Sequence, residues 1–100
     1  MDTWGGAIEL SVVSKLNCVE IRAIDVRNGR VDCYGEMDGF SRAVYLAYLG
    51  DHYQPISFRK SATSPEFCFV NSKDEVARRS VAAATEDLIR MYWEQKRSRQ

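Results

Sequence analysis

The chain has 100 residues and balances 14 basic against 14 acidic side chains, for a formal net charge of zero. At 45% hydrophobic and 28% charged it reads as one small globular domain rather than a disordered segment. Zero net charge removes any long-range pull towards nucleic acid or anionic lipid, so neither is expected as a partner. The longest apolar run, Ala43 to Leu49, is far short of the roughly 20 residues a spanning helix needs. The opening Met-Asp-Thr-Trp-Gly-Gly has neither the basic nor the apolar region of a signal peptide, and a reducing, cytoplasmic setting is the default expectation.

Residues 7–16 carry apolar side chains at Ile8, Val12 and Leu16, with Leu10 and Val13 beside them, which is helical spacing. Thr3 and the Gly5-Gly6 pair give that helix a flexible, tight approach. Val19 to Val26 follows as a strand, with Val19, Ile21 and Ala23 alternating against Glu20 and Arg22. Asn28-Gly29 predicts a type I′ hairpin turn, which needs positive φ at both central residues. Arg30 to Gly35 is then the returning strand, with Val31 and Cys33 on its inward face. A polar loop over Glu36 to Ser41 leads to Ala43–Leu49, an unbroken apolar strand of the kind covered on both faces. It stops at Gly50-Asp51, and His52 comes next.

Tyr53 to Phe58 reads as a further short strand, which Pro55 confines to an edge. Ser61 to Pro65 is turn-rich, and Cys68-Phe69-Val70 is extended. Ser72-Lys73-Asp74-Glu75 fits a capping box, in which the Ser hydroxyl and Glu carboxylate satisfy exposed amides reciprocally. It opens a last helix with apolar positions at Val76, Val81, Ala84, Leu88 and Met91 or Tyr92. The order helix, three strands, irregular segment, helix implies an α+β or mixed α/β fold.

The three cysteines, Cys18, Cys33 and Cys68, form no C-x-x-C pair, and there is one histidine. No disulfide framework, metal site or other cofactor is expected from such a set. Each cysteine sits in a strand or apolar context and reads as an inert core thiol rather than one activated at a helix N-terminus. His52 is open to two readings. It is either a solvent-exposed loop histidine or a general base presented at a strand end, where imidazole titrates near working pH.

More specific patterns lie in Trp4-Gly5-Gly6-Ala7-Ile8-Glu9-Leu10, in Asp25 with Arg30-Val31-Asp32, in Gly35-Glu36, and in Gly50-Asp51-His52-Tyr53-Gln54-Pro55-Ile56. Their order and spacing resemble the ovarian tumour (OTU) family of cysteine deubiquitinases, most closely the branch that partners the AAA segregase of endoplasmic-reticulum-associated degradation. The likeness runs through about 54 residues and weakens beyond Pro55. It implies the papain-like OTU fold, a central, mostly antiparallel sheet flanked by helices. It also implies a thiol protease that hydrolyses isopeptide bonds at the C-terminus of ubiquitin.

In that resemblance His52 is the general base, and Asp51 or Gln54 orients its ring. Trp4, Gly5, Gly6, Glu9, Tyr53, Phe67 and Phe69 would contact ubiquitin or polyubiquitin. A narrow aromatic channel would suit the two glycines that end ubiquitin. An AAA segregase would be met through regions outside these residues. The family's nucleophile lies in a D-G-N-x-C segment ahead of the W-G-G helix, and no such segment occurs in residues 1–100. The expectation is therefore that residues 1–100 are the C-terminal part of an OTU domain, inactive alone and exposing apolar surface. The alternative is a non-catalytic ubiquitin-binding or scaffold protein that keeps the recognition half of the fold.

Overall fold

The computed structural model describes residues 7–98. Helix α1 spans Ala7–Asn17 and is followed by strands β1 (Glu20–Asp25) and β2 (Val31–Tyr34) and a short 3-10 turn over Glu36–Asp38. Strands β3 (Arg42–Tyr48), β4 (Tyr53–Pro55) and β5 (Val70–Asn71) complete one sheet, and helix α2 (Glu75–Ser98) closes the described chain.

The sheet runs in the order β2-β1-β3-β4, with β5 also on β3. β1 and β2 are antiparallel, and so are β3–β4 and β3–β5. The central β1–β3 pair is parallel, from Glu20 opposite Ala43 to Asp25 opposite Tyr48. The sheet is thus mixed, with a parallel ladder at its middle. Being covered on both faces, β1 and β3 keep near-continuous runs of buried residues.

Alternation along these two strands feeds two separate cores. On one face Val19, Ile21, Ala23 and Leu46 pack with Leu10 of α1, supported by Val44 and Tyr53. On the other, Ile24, Ala43, Tyr45 and Val70 pack with Ala77 and Val81 of α2. The result is a helix–sheet–helix sandwich, which is the α/β architecture the element order implied.

Several local expectations change. The face of α1 that meets the sheet carries Leu10 and Ser14, not Val12 and Leu16, which are 50% and 78% exposed. Ser14 can be buried because its hydroxyl donates to the Val19 carbonyl at 2.5 Å and lies 3.2 Å from that of Tyr34. On α2 the buried line is Ala77, Val81 and Thr85, while Val76, Ala84 and Met91 face outward. Phe69 and Trp93 also leave apolar surface open.

The β1–β2 connection is not a two-residue type I′ turn. Asp25 faces Arg30 across a loop of residues 26–29, with Gly29 N–H donating to the Asp25 carbonyl at 2.7 Å. Gly29 alone in that loop has positive φ, at 81°. The Asp25 carboxylate accepts from the Arg27 amide at 2.9 Å, which winds the chain into a helical turn before Asn28 is reached. Nor does Ser72 cap α2. Its hydroxyl donates to the Phe40 carbonyl at 2.8 Å, and Asp74 accepts from the Ala77 amide at 3.0 Å instead.

Val31 and Cys33 lie opposite Ile24 and Arg22, on the face of the sheet towards α2, but both stay exposed. Cys18 is exposed too, and Cys68 half-buried, so none of the three is a sealed core thiol. β4 is an edge strand, with Pro55 in its last position opposite Leu46. Phe58 and Phe67 form an isolated antiparallel bridge, their rings stacked at 5.8 Å.

Candidate active site

Residues 49–52 join β3 to β4, with Gly50-Asp51 at the tip of the turn and Leu49 N–H donating to the His52 carbonyl at 2.9 Å. Gly50 has φ of 103°, at the first central position where a tight hairpin favours glycine. The turn delivers Asp51 and His52 side by side. Asp51 Oδ1 and His52 Nδ1 are 2.6 Å apart, with His52 43% and Asp51 84% exposed. The hydrogen bond with His52 holds the Asp51 carboxyl below its ordinary range, against a smaller opposing effect of burial; the charge of Lys96 adds to the lowering.

The turn has a backing. The Tyr48 hydroxyl donates to the Gly50 carbonyl at 2.8 Å. The Tyr48 ring lies 4.8 Å from that of Tyr53 and carries the Arg27 guanidinium 5.2 Å from its centroid. Arg27 is fixed in turn by a two-point pairing with the Asp25 carboxylate, at 2.9 and 2.8 Å. From the far end of α2, the Trp93 indole N–H donates to the Arg27 carbonyl at 2.9 Å. Between these parts lies a cleft of about 470 Å³, lined by Arg27, Gly50, Asp51, His52, Tyr92 and Lys96 among others.

The two residues offered as orienters of His52 therefore part company: Asp51 reaches the ring nitrogen, and Gln54 stands exposed on β4 opposite Ala47. Tyr53 is half-buried and belongs to the core under α1. Phe67 and Phe69 are exposed and well separated along the chain from the turn, and Phe69 carries the Arg42 guanidinium at 4.9 Å. Trp4, Gly5 and Gly6 lie outside the described residues, as does the side chain of Glu9, whose backbone is in α1.

None of the three cysteines lines the cleft beside His52. Cys33 instead borders a second groove, about 350 Å³, between α2 and the sheet. There partial burial, then the charges of Glu36 and Glu20, push its thiol up and away from thiolate. Among the described residues no group of three or more His, Cys, Asp or Glu could hold a metal ion, and no helix is long and apolar enough to cross a membrane.

The sequence pointed to His52 and its neighbours but not to Arg27, Tyr48, Tyr92 or Trp93. A lone arginine in a turn and an aromatic pair late in a helix carry no motif, and only the fold brings positions 27 and 93 together.

No family model matches the chain. It is 39% identical over 87 residues to ubiquitin thioesterase OTU1 of Homo sapiens, a match covering 85% of this chain. Against ubiquitin thioesterase OTU1 of Danio rerio it is 49% identical over 55 residues, covering 55% of this chain and 18% of that protein. The chain spans about a quarter (25%) of the length of the human relative. Among solved structures, an ovarian tumour (OTU) domain in complex with ubiquitin superposes with a TM-score of 0.67. That match covers 86% of this chain and 46% of the other at 23% identity, and it speaks for the fold.

Proposed function

The chain belongs to the ovarian tumour (OTU) family, and from that we propose that it supplies the histidine half of a cysteine-type deubiquitinase active site. The observation that carries the reading is the 2.6 Å Asp51–His52 pair on a braced hairpin. A carboxylate on Nδ1 fixes the ring and leaves Nε2 free to act on a thiol, which is the arrangement nucleophilic thiol catalysis needs.

In this proposal His52 takes the thiol proton and the thiolate attacks the carbonyl of ubiquitin's last glycine. The C–N bond then breaks, a thioester forms, and the departing lysine amine receives the proton from His52. Water, losing a proton to His52, hydrolyses the thioester and restores the thiol. Asp51 stabilises the imidazolium at both stages. The nucleophile is a cysteine other than Cys18, Cys33 and Cys68, since none of these lines the cleft beside His52. By the family resemblance, Trp4, Gly5, Gly6, Glu9, Tyr53, Phe67 and Phe69 would be contacts to ubiquitin.

The same absence of a thiol from the cleft favours a second reading, a ubiquitin-binding protein without catalysis. Two measurements on the purified chain separate them. With a fluorogenic ubiquitin C-terminal substrate we expect no turnover, and in an NMR titration with ubiquitin we expect shifts at the His52 hairpin. Shifts confined to Phe67 and Phe69, unchanged in His52→Ala, would favour the binding protein. Turnover that disappears in His52→Ala would place the nucleophile within these 100 residues. A titration with no shifts anywhere would sink both readings.

A further inference from the structure

The Asp51–His52 pair stands on a two-residue turn at the surface, and both side chains are substantially open to water. A carboxylate and an imidazole so placed gain little from solvent exclusion, and their contact persists only where the backbone holds it. Besides the Leu49–His52 backbone bond that closes the hairpin, a side chain holds the Gly50 carbonyl itself: the Tyr48 hydroxyl donates to it at 2.8 Å. Gly50 is also the residue most free to rotate, having a φ of 103°. The carbonyl held by Tyr48 belongs to the peptide that leads into Asp51, so its direction sets where the Asp51 side chain begins.

We propose that Tyr48 is a positioning residue for His52: its hydroxyl pins the Gly50–Asp51 peptide so that the Asp51 carboxylate meets Nδ1, and Arg27 and Trp93 hold Tyr48 in place. The inference rests on the reading of His52 as a base whose Nδ1 must be occupied. Each link is a contact in the structure. Trp93 Nε1 donates to the Arg27 carbonyl at 2.9 Å, and Arg27 pairs with Asp25 and covers the Tyr48 ring. Through this chain the last turns of α2 act on a ring 41 positions earlier in sequence, counting from Trp93 to His52.

The charged and titratable groups around the imidazole are Asp51 on its own hairpin, Arg27 from the β1–β2 loop, and Tyr92 and Lys96 from α2. Lys96 lies over the Tyr92 ring at 5.5 Å, and Arg27 is committed to Asp25. Asp51 is left as the group that selects which ring nitrogen carries the proton.

The tautomer of His52 is therefore the readout. It is measured from ring nitrogen chemical shifts of the full chain labelled at its single histidine, at a pH where the ring is neutral. In the unaltered chain the Nδ1–H form is expected to dominate. Tyr48→Phe keeps the ring and removes only the hydroxyl. It should move the ratio towards Nε2–H by about threefold or more, the scale of one net hydrogen bond. Asp51→Ala should move it at least as far, and Tyr48→Phe added to Asp51→Ala should change nothing further. Trp93→Phe, which loses the indole donor, should shift the ratio in the same direction and serves if Tyr48→Phe fails to fold. A ratio unchanged in Tyr48→Phe, or in Trp93→Phe where that variant stands in for it, overturns the proposal. So does an equal shift on adding Tyr48→Phe to Asp51→Ala. Ubiquitin is absent from this measurement, so its failure is separate from failure of the deubiquitinase reading.

Discussion

A β-carbon placed on Gly35 would fall 2.2 Å from the hydroxyl of Ser14, so these two residues, one in α1 and one just after β2, exclude any side chain at position 35. Ser14 cannot retreat, because that hydroxyl is bonded to the Val19 carbonyl beneath α1. The glycine of the Gly35-Glu36 pattern thus has a packing cause as well as a backbone one, its φ being 81°. Gly35→Ala should cost about 2–4 kcal/mol, combining left-handed strain with overpacking. Gly39→Ala, at φ of 69° with nothing within 4 Å, should cost only about 1 kcal/mol. Chemical denaturation of both variants measures the difference. In a Ser14→Ala background that difference should shrink, and equal costs for the two glycines would refute the account.

Cys18 ends α1 with φ of 53°, a left-handed geometry that glycine adopts without strain. The Val19 amide reaches back to the Ser14 carbonyl at 3.1 Å, closing the helix around it. Since the Cys18 side chain is exposed, replacing it removes strain and little packing. Cys18→Gly should raise stability by roughly 0.5–1 kcal/mol in equilibrium unfolding.

Arg22 is buried in the middle of β1 and ties three elements together. Its guanidinium reaches Glu20 at 2.7 Å, the Tyr45 hydroxyl at 2.5 Å and the Ser72 carbonyl at 2.6 Å, just ahead of α2. Removing it strands Glu20 and leaves the approach to α2 untied. Arg22→Ala should cost about 3 kcal/mol, as expected for breaking a buried charged cluster from one side. Glu20→Gln keeps an acceptor and should cost clearly less. The ratio of the two, read from urea midpoints, checks the assignment.

Asp25 carries a pH dependence. Its hydrogen bond with Arg27 holds the carboxyl below the usual carboxylate range, with burial working the other way. A carboxyl depressed in the folded state stabilises that state at pH above its unfolded value, about 4, and loses the contribution as pH falls through the folded value. Melting temperature should therefore fall more steeply below about pH 4 in the unaltered chain than in Asp25→Asn. The Trp93 indole N–H resonance should shift over the same acid range, because it reports on the Arg27 carbonyl. Parallel acid curves for the two proteins would remove Asp25 from this role.

Much of the fold was legible because the strands announce themselves. Ala43–Leu49 is apolar throughout, and β3 is covered on both faces. The placement of His52 in the turn after β3 was legible from Gly50-Asp51, which closes an apolar strand. The faces of the helices were not legible. In α1 the sequence offers Val12 and Leu16 as well as Leu10, and the fold buries Ser14 instead because its hydroxyl finds carbonyls to satisfy it. The cap of α2 misled for a related reason. Both Ser72 and Asp74 suit the role, and Ser72 is drawn off by the Phe40 carbonyl, 32 positions away. Long-range hydrogen bonds of this kind leave no periodic trace.

The parallel pairing of β1 with β3 decides which loops can be neighbours. With Asp25 opposite Tyr48, the loop holding Arg27 and the turn holding His52 leave the sheet at the same end. Were β1 reversed, Arg27 would emerge at the opposite end, about 20 Å away at about 3.3 Å per strand residue. A parallel pair cannot be closed by a tight turn, so the chain must travel back through β2 and residues 36–41 before β3 begins. That return journey passes through an exposed 3-10 turn over Glu36–Asp38. The alignment of residue 25 with residue 48 is not free. A slip of one position between those strands would put Tyr48 on the opposite face from its present one relative to β1 and take its ring away from Arg27.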